Sequence, residues 1–529
     1  MFNVFDLGNR IKKTHFLLKM NIYLLRVTTL LLWVNSLALF AQQTDIDSLT
    51  VQTTNLEEVV ISDSRFPLKR SQSGKPIVKI NADEISKFQG LGLSELVRQY
   101  AGIEIIGSQS YAGQNKTISL RGGRNRQVLI LIDGVRVSDP SRIDNDFNLN
   151  FLSLDQIESI EIMKGASSTL YGSSAATGVI QIQTKKAETG FRASLQSSFG
   201  SDQDQDSSFD LNLFKNSLDI SYGGGKISAK AYAFSHEANG MSAVIGPELD
   251  PFSHYNIGAS MQFKPNTQFD IRSGYDRSSI NSDYDNSFPL EDANFKLITS
   301  MDRFHISPNY NYTNGGASLK FGYQKIARDF QSAYPFQTQG ENTQIELNNR
   351  YVFGSKFYSV VGTLYQKQKA DYEGGQELSQ TDFFGNVVAV VSDRFRVNIG
   401  GRLNSHSSYG NQFTYSINPS FQLVQNDKQS LKFLGALSSA FIAPSLYQLY
   451  DPYSGNEDLE PEENTSFETG LEYVISDWNM SATYFYRNEN PSLIYDLSTY
   501  RYENAQEEAT YSGMEIQFSG SLADKARLN

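Results

Sequence analysis

The most regular pattern in this chain is a strict alternation of apolar and polar residues that begins after residue 190. In segment 395–404, for example, Phe395 and Val397 alternate with Arg396 and Asn398. The same alternation recurs in four further segments: 413–423, 467–475, 480–486 and 514–522. A period of two predicts β-strands with one apolar and one polar face. The region from about residue 190 onward is therefore predicted to be a long series of strands.

Residues 56–187 carry a different, mixed α/β pattern. Asn81 followed by Glu84 forms a capping-box pair, which predicts the start of a short helix. Apolar residues at helical spacing over 93–100 predict a second helix, which Gly102 ends. The region is long enough to build a small core of its own.

Short apolar runs in the same region predict buried strands. Val128 to Ile132 (VLILI) is continuous and apolar, as expected for a strand covered on both faces. Asp133-Gly134 follows it and predicts a hairpin turn. Ile160 and Ile162 alternate in a further strand, and residues 179–184 predict the last one.

The N-terminus has the features of an export signal. Basic residues precede an apolar run of 15 residues, Val27 to Ala41. A membrane-spanning helix needs about 20 apolar residues, so the run predicts a signal peptide over 1–41, cleaved near Ala41. An uncleaved anchor is the alternative, and Met20 would give a more compact signal. Residues 42–55 are polar and are predicted to be a flexible periplasmic segment.

Composition narrows the function classes. The 529 residues carry a net charge of −12, which argues against nucleic acid as the main partner. The absence of cysteine excludes disulfide scaffolds and thiolate metal sites. The five histidines are scattered, and neither H-E-x-x-H nor G-x-S-x-G occurs, so no enzyme class is indicated.

Alternation alone does not separate a β-sandwich from a membrane barrel. The alternating region runs for about 340 residues, however, which is too long for one sandwich. Aromatic residues recur near segment ends, and an export signal supplies a route to an outer membrane. Only a closed barrel pairs every backbone group in hydrocarbon. We therefore favour a mainly β fold, a transmembrane antiparallel β-barrel with an α/β domain ahead of it.

Two stretches of the α/β region resemble the plug domain of TonB-dependent outer-membrane receptors. They are TISLRGGRNRQVLILIDGVRVSDP at 117–140 and IESIEIMKGASSTLYGSSAATGVIQIQTK at 157–185. LEEVVI at 56–61 resembles the TonB box of this family. FIAPSLYQLYDPYSGNEDLEPE at 441–462 resembles a barrel motif of the family, with Ile442 in place of the usual arginine. YSGME at 511–515 resembles a late barrel strand.

The resemblance implies a domain order and a function. It places the TonB box and plug at 56–187 and the barrel at 188–529, with the plug in the lumen. The plug motif GASSTLYGSSAATGVI and the short barrel resemble those of receptors for vitamin B12 and iron chelates. They imply TonB-dependent active transport of a cobalamin-like corrinoid or an iron-siderophore. A receptor or adhesin that binds without transport is the alternative, and a secreted β-rich hydrolase is a third class.

The resemblance also implies roles for particular residues. In the TonB box, residues 58–62 would form a strand that adds to a sheet edge of the TonB protein; these are Glu58, Val59, Val60, Ile61 and Ser62. An ordinary first plug strand is the alternative. Eight plug-motif residues are expected to turn and pack the chain, and the arginines to pair with acidic groups in the lumen: Arg121, Gly122, Asp133, Gly134, Lys164, Gly165, Tyr171 and Gly172.

Metal and ligand sites are less defined by the sequence. Asp202, Asp204 and Asp206 occupy every second position, which places three carboxylates on one side of an extended segment. The resemblance to B12 receptors, which hold calcium in an early outer loop, implies a calcium site here. A solvated acidic loop is the simpler interpretation. No other cofactor is indicated. Loops at 281–294 and 331–343 could line a ligand mouth. The 340 residues suffice for roughly 16–18 strands rather than the ~22 of the complete family barrel, so we expect a C-terminally truncated barrel.

Overall fold

A computed structural model describes most of the chain after residue 58. The described residues are 59–60, 65, 68–69, 73–107, 112–201, 210–240, 242, 244, 246, 249–354, 356–426, 428–476, 478–523 and 526–528. Within these ranges no helix has the length and apolar character needed to cross a bilayer.

The first part of the described chain, up to residue 187, is here called the plug. It contains nine strands: β1 Val59–Val60, β2 Leu68–Lys69, β3 Ile77–Ile80, β4 Ile103–Ile106, β5 Thr117–Leu120, β6 Val128–Ile132, β7 Val135–Val137, β8 Ile157–Lys164 and β9 Gly178–Thr184. It also contains three short α-helices and three 3-10 turns: α1 Ala82–Ser86, α2 Leu93–Val97, α3 Ser168–Tyr171, and Asn125–Gln127, Leu149–Phe151 and Leu154–Gln156.

The plug core is a five-stranded mixed sheet in the order β3-β8-β9-β6-β7. β6 and β9 pair in parallel and the other neighbours are antiparallel. Every residue of β6 is buried, as its continuous apolar run predicted. Asn81 caps α1 through a capping box with Glu84, which confirms that prediction.

The second part of the chain forms one antiparallel sheet of 17 strands, here called the wall. Its strands, in both chain order and spatial order, are β10 Gly190–Gly200, β11 Leu213–Gly223, β12 Ile227–Ala238, β13 Phe252–Phe263, β14 Phe269–Ser287, β15 Leu290–Tyr312, β16 Gly315–Gln331, β17 Phe336–Phe353, β18 Phe357–Ala370, β19 Gln376–Val390, β20 Phe395–His406, β21 Gly410–Gln425, β22 Gln429–Ile442, β23 Glu462–Ile475, β24 Trp478–Glu489, β27 Ala509–Ala523 and β28 Ala526–Leu528. The remaining elements lie in connections: a 3-10 turn Tyr372–Gly374, helix α4 Leu446–Tyr450, and the hairpin β25 Leu493–Asp496 with β26 Arg501–Asn504.

The wall is inside-out compared with a water-soluble sheet. On β17 the residues Gln344 and Glu346 are 2% and 5% exposed, whereas Ile345 and Leu347 are 43% and 49% exposed. The same inversion holds along most of the strands from β11 to β24, where buried asparagine, glutamine and serine alternate with exposed phenylalanine, leucine and isoleucine. An outward apolar face of this extent matches lipid rather than water. This excludes the sandwich alternative, whose apolar faces would be turned inward.

The wall curves around the plug. Gln156 of the plug hydrogen-bonds Asp219 on β11 at 3.3 Å, and Arg121 of the plug contacts Glu515 on β27 at 3.0 Å. The sheet therefore surrounds the plug from its second strand to its sixteenth. Over the described residues β10 and β28 are the two ends of the strand order and do not pair with each other, so the barrel is not closed.

Two segments that the sequence left as loops are strands. Most of 281–294 belongs to the long β14–β15 hairpin, and most of 331–343 belongs to β16 and β17. Polar residues lie on both faces of these segments, and the strand pairing continues through most of them. The expected loops at these positions were wrong.

Candidate functional site

Ion pairs join the plug to the inner face of the wall. Arg121 follows β5 in a left-handed conformation (φ +50°), which turns its side chain toward the last wall strands. Its guanidinium contacts Glu468 on β23 at 2.8 Å and Glu515 on β27 at 3.0 Å, and it lies 4.8 Å from the ring of Phe485. Arg121 is 3% exposed, so both carboxylates neutralise it away from bulk water.

Lys164 joins the same cluster from the end of β8. Its ammonium contacts Glu515 at 3.1 Å and donates to the carbonyl of Ala101 at 2.6 Å. Burial lowers the pKa of Lys164 below the ordinary lysine value, and the Glu515 carboxylate opposes that shift. Gly165 follows with φ +83°, and a Cβ there would collide with the carboxylate of Glu468. Glycine is therefore required for the close approach of plug and wall.

A second cluster lies on the neighbouring strands. Arg126 contacts Glu462 on β23 at 2.7 Å, and Arg124 contacts both Glu462 and, at 3.4 Å, Glu489 on β24. Both carboxylates have fully buried side chains. Together the two clusters connect the plug to three adjacent wall strands, β23, β24 and β27, through charge-assisted contacts.

The other plug-motif residues turn and pack the chain. Asp133 (φ +53°) and Gly134 (φ +77°) form the tight turn between β6 and β7. Asp133 also accepts hydrogen bonds from the backbone and hydroxyl of Thr184, at 3.0 and 2.8 Å. Tyr171 belongs to a buried apolar cluster, and Gly172 lies where a Cβ would meet the guanidinium groups of Arg136 and Arg402.

The described part of the TonB-box segment lies against the plug. Val59 and Val60 pair with Lys69 and Leu68, and Val60 is 1% exposed in an apolar cluster with Tyr171. Glu58, Ile61 and Ser62 fall outside the described residues.

Arg65 follows this segment and connects it to the wall. Its guanidinium donates to the carbonyl of Leu170 at 2.7 Å, pairs with Glu346 on β17 and lies between the rings of Tyr171 and Phe384 at 4.8 and 4.9 Å. Burial opposes its charge, but the Glu346 carboxylate overcomes this and holds the pKa of Arg65 above the ordinary value.

The wall has one end with long connections and one with short turns. Connections 443–461 and 490–508 lie at the long-loop end, whereas 224–226 and 313–314 lie at the short-turn end. At the long-loop end the wall connections contact the plug loop 138–147. The Tyr372 hydroxyl donates to the carbonyl of Ser141, and the Ser445 hydroxyl donates to that of Ile143 at 2.6 Å.

Tyrosines form the surface of this end. The rings of Tyr372 and Tyr447 are 5.8 Å apart, Tyr447 and Tyr502 are 6.1 Å apart, and Tyr495 and Tyr502 are 5.1 Å apart. Ser445 caps helix α4 through a capping box with Gln448, which holds Tyr447 in place. Aromatic faces with hydroxyl groups suit a ligand that offers both planar and polar surface.

A cavity also lies at the long-loop end, between the plug and β18–β20. Arg126, Arg136, Gln380 and His406 are among the residues that line it. Arg136 donates to Gln366 at 2.9 Å and to two backbone carbonyls, and among the described residues it donates to no carboxylate. Burial, together with the nearby Arg402 guanidinium, lowers the pKa of Arg136 to about 9. The cavity could therefore accept an anionic or strongly hydrogen-bonding group.

The sequence did not single out the wall partners of these contacts. Glu468 and Glu515 were assigned to a polar strand face, but Glu346, Glu462 and Glu489 were not identified as partners of plug arginines. The available signal was a carboxylate at an inward position of the alternation. Asp202, Asp204 and Asp206 fall outside the described residues. No group of three or more acidic or histidine side chains within the described ranges could hold a metal ion.

Comparison with known proteins agrees with this architecture. Residues 69–179 match the TonB-dependent receptor plug domain, and residues 190–529 match the TonB-dependent receptor-like β-barrel. The vitamin B12 transporter BtuB of Vibrio cholerae serotype O1 is 27% identical over 490 residues, covering 87% of this chain and 75% of the relative.

Solved structures share the fold at low sequence identity. The siderophore receptor PirA of Acinetobacter baumannii superposes with a TM-score of 0.72 at 18% identity, covering 85% of this chain and 78% of that one. The ferric enterobactin receptor PfeA of Pseudomonas aeruginosa gives 0.73 at 18% identity, covering 86% and 80%. With a plug inside an outward-apolar wall and both family domains matched, the chain belongs to the TonB-dependent receptors of the outer membrane.

Proposed function

We propose that this protein imports a scarce hydrophilic ligand across the outer membrane with energy supplied through TonB. The observation that carries the proposal is the set of buried ion pairs between the plug and the wall, centred on Arg121 with Glu468 and Glu515. These pairs keep the lumen filled at rest. Because these buried charges are costly to separate, the plug stays in the lumen, and a solute can pass only where external work moves part of the plug.

Segment 58–62 is the proposed segment on which TonB pulls to perform this work. An extended segment can add to the sheet edge of a partner through backbone hydrogen bonds, which need β propensity rather than specific side chains. Val59 and Val60 are already paired with β2. The β1–β2 pair therefore has to open before TonB can take the segment, and a pull on it acts on Arg65 and the plug.

The ligand is proposed to be a cobalamin-like corrinoid or an iron-siderophore. Support comes from the related B12 transporter and from the structural likeness to siderophore receptors. The tyrosine cluster and the Arg136 cavity offer aromatic, hydrogen-bonding and cationic groups at the long-loop end, which we assign to the outer side. Growth of a strain lacking this locus under cobalamin limitation and under iron-siderophore limitation separates the two ligands.

Deletion of residues 58–62 tests the transport mechanism. We expect ligand binding to whole cells to persist and uptake to be lost, because the plug and wall remain but the force is not transmitted. Deletion of five residues at 46–50 is the matched control and should leave uptake unchanged. Unchanged uptake in the 58–62 deletion would contradict the proposal and favour a receptor or adhesin that binds without transport.

A further inference from the structure

Three cavities lie in series between the plug and wall strands β10–β16. The first, at the long-loop end, is bounded by Lys116 of the plug and by His236 and His254 of the wall. The third, at the short-turn end, is bounded by Gln183 and Lys320. The middle cavity shares residues with both of the others, so the three adjoin one another.

The middle cavity is the constriction. Its volume is about 30 Å³, against about 190 Å³ for the first cavity and about 230 Å³ for the third. Plug residues 149–156, which consist largely of two 3-10 turns, separate the first cavity from the middle one. Leu152 and Ser153 border both of these cavities. Movement of this one segment would join the outer and inner cavities.

Fewer ion pairs join the plug to the wall on this side. The plug-to-wall ion pairs reach β16, β17, β23, β24 and β27. In the described part of the chain, none with an N–O distance of 4.0 Å or less reaches β10–β15. The contacts there include Asn256 donating to the carbonyl of Phe151 at 3.3 Å and Lys230 donating to Gln156 at 2.9 Å. A displaced plug therefore loses fewer charge pairs on this side.

At rest, segment 149–156 nevertheless keeps the first and middle cavities separate. Leu149, Phe151 and Leu154 anchor it in the plug core, with exposures of 2%, 0% and 5%. Moving it exposes apolar surface at a cost of about 25 cal/mol for each Å². That cost suits a gate which opens under external work and not by thermal motion.

We propose that these cavities are the closed form of the route by which a hydrophilic solute crosses the wall, and that plug segment 149–156 is its gate. The proposal rests on the TonB-driven transport proposed above. The third cavity on this route is lined by serine, glutamine, asparagine and lysine side chains, which select solutes that form hydrogen bonds. The β17–β27 side keeps its ion pairs and holds the rest of the plug in place while the gate moves.

Two single-cysteine variants test the position of the route, and the native chain contributes no other thiol. Asn256→Cys lies at the middle cavity. Ser416→Cys lies on β21, on the opposite side of the plug, where the Ser416 and Thr169 hydroxyl groups are hydrogen-bonded at 2.8 Å. Both native residues are 3% exposed and face the plug, so their resting accessibility is matched. The probe is the membrane-impermeant anion 2-sulfonatoethyl methanethiosulfonate, applied to cells with and without TonB and supplied with cobalamin or ferric enterobactin.

We expect TonB to accelerate labelling of Asn256→Cys at least tenfold and to leave labelling of Ser416→Cys unchanged. Acceleration at Ser416→Cys, or at neither position, would overturn the proposed route. Uptake of the same two ligands is measured in parallel. TonB-dependent uptake that persists without labelling at Asn256→Cys overturns the route alone, whereas uptake that does not depend on TonB overturns the transport mechanism itself.

Discussion

Buried ion pairs between individual residues hold the plug against the wall. Glu515 serves two cations at once, Arg121 at 3.0 Å and Lys164 at 3.1 Å, with 11% of its side chain exposed. A surface pair such as Lys367 and Glu377 has a similar distance of 2.9 Å but remains hydrated. The difference in burial, rather than in distance, sets the free energy that each contact contributes.

Replacing Glu515 should therefore loosen the plug. Glu515→Gln leaves Lys164 buried without a carboxylate and removes one of the two partners of Arg121. Breaking a buried pair in this way costs about 3–5 kcal/mol. We expect a lower urea midpoint for plug release, measured by protease protection of the detergent-solubilised protein. Glu377→Gln is the control and should leave the midpoint unchanged; equal effects of the two substitutions would contradict this account.

At the scale of elements, the local sequence pattern predicted whether a segment is a helix or a strand, and tertiary contacts decided how long the element is. The capped helix at Asn81 and the strand at Val128–Ile132 followed from neighbours a few residues apart. The β14–β15 hairpin could not be predicted in the same way, because its outer part is polar on both faces and resembles a loop. It remains a strand because each half pairs with the other, as at Asp283 and Lys296.

The Asp133-Gly134 turn gives a prediction at this scale. Asp133→Ala removes two hydrogen bonds to Thr184 and should destabilise the plug by about 2 kcal/mol, since bonds to a charged acceptor contribute more than neutral ones. Asp133→Asn tolerates the same backbone conformation and keeps one acceptor oxygen, so it should cost less. Urea unfolding of the plug measures both variants. A larger loss for asparagine than for alanine would contradict this account of the turn.

For the whole molecule, the inside-out wall decides where the protein can exist. Leu347 on β17 points outward and is 49% exposed, next to the buried Glu346. A chain with such a surface is stable only where lipid covers it. Polar side chains enclosed by the wall then meet the plug instead of water.

Leu347→Arg tests this arrangement. Arginine on the lipid face near mid-bilayer costs about 2–4 kcal/mol, so the variant should assemble less completely in lipid vesicles or in the outer membrane. Leu290→Arg is the matched control. Leu290 is 69% exposed at the tip of the β14–β15 hairpin, where arginine should remain in water and have no effect. Assembly is measured as the heat-modifiable folded fraction. Equal assembly of the two variants would place β17 outside the bilayer.

The residue order by itself determined the alternating strands, the capped helix and the hairpin turn at Asp133-Gly134, because these features depend on contacts between near neighbours. It also assigned Glu468 and Glu515 to a polar face. Which cation each would meet was decided only by the tertiary structure, since 347 and 394 residues separate these carboxylates from Arg121. The inner cavities likewise exist only between two folded surfaces. A short-range pattern can specify a face, but the register of a curved wall around a plug specifies which residues oppose each other across it.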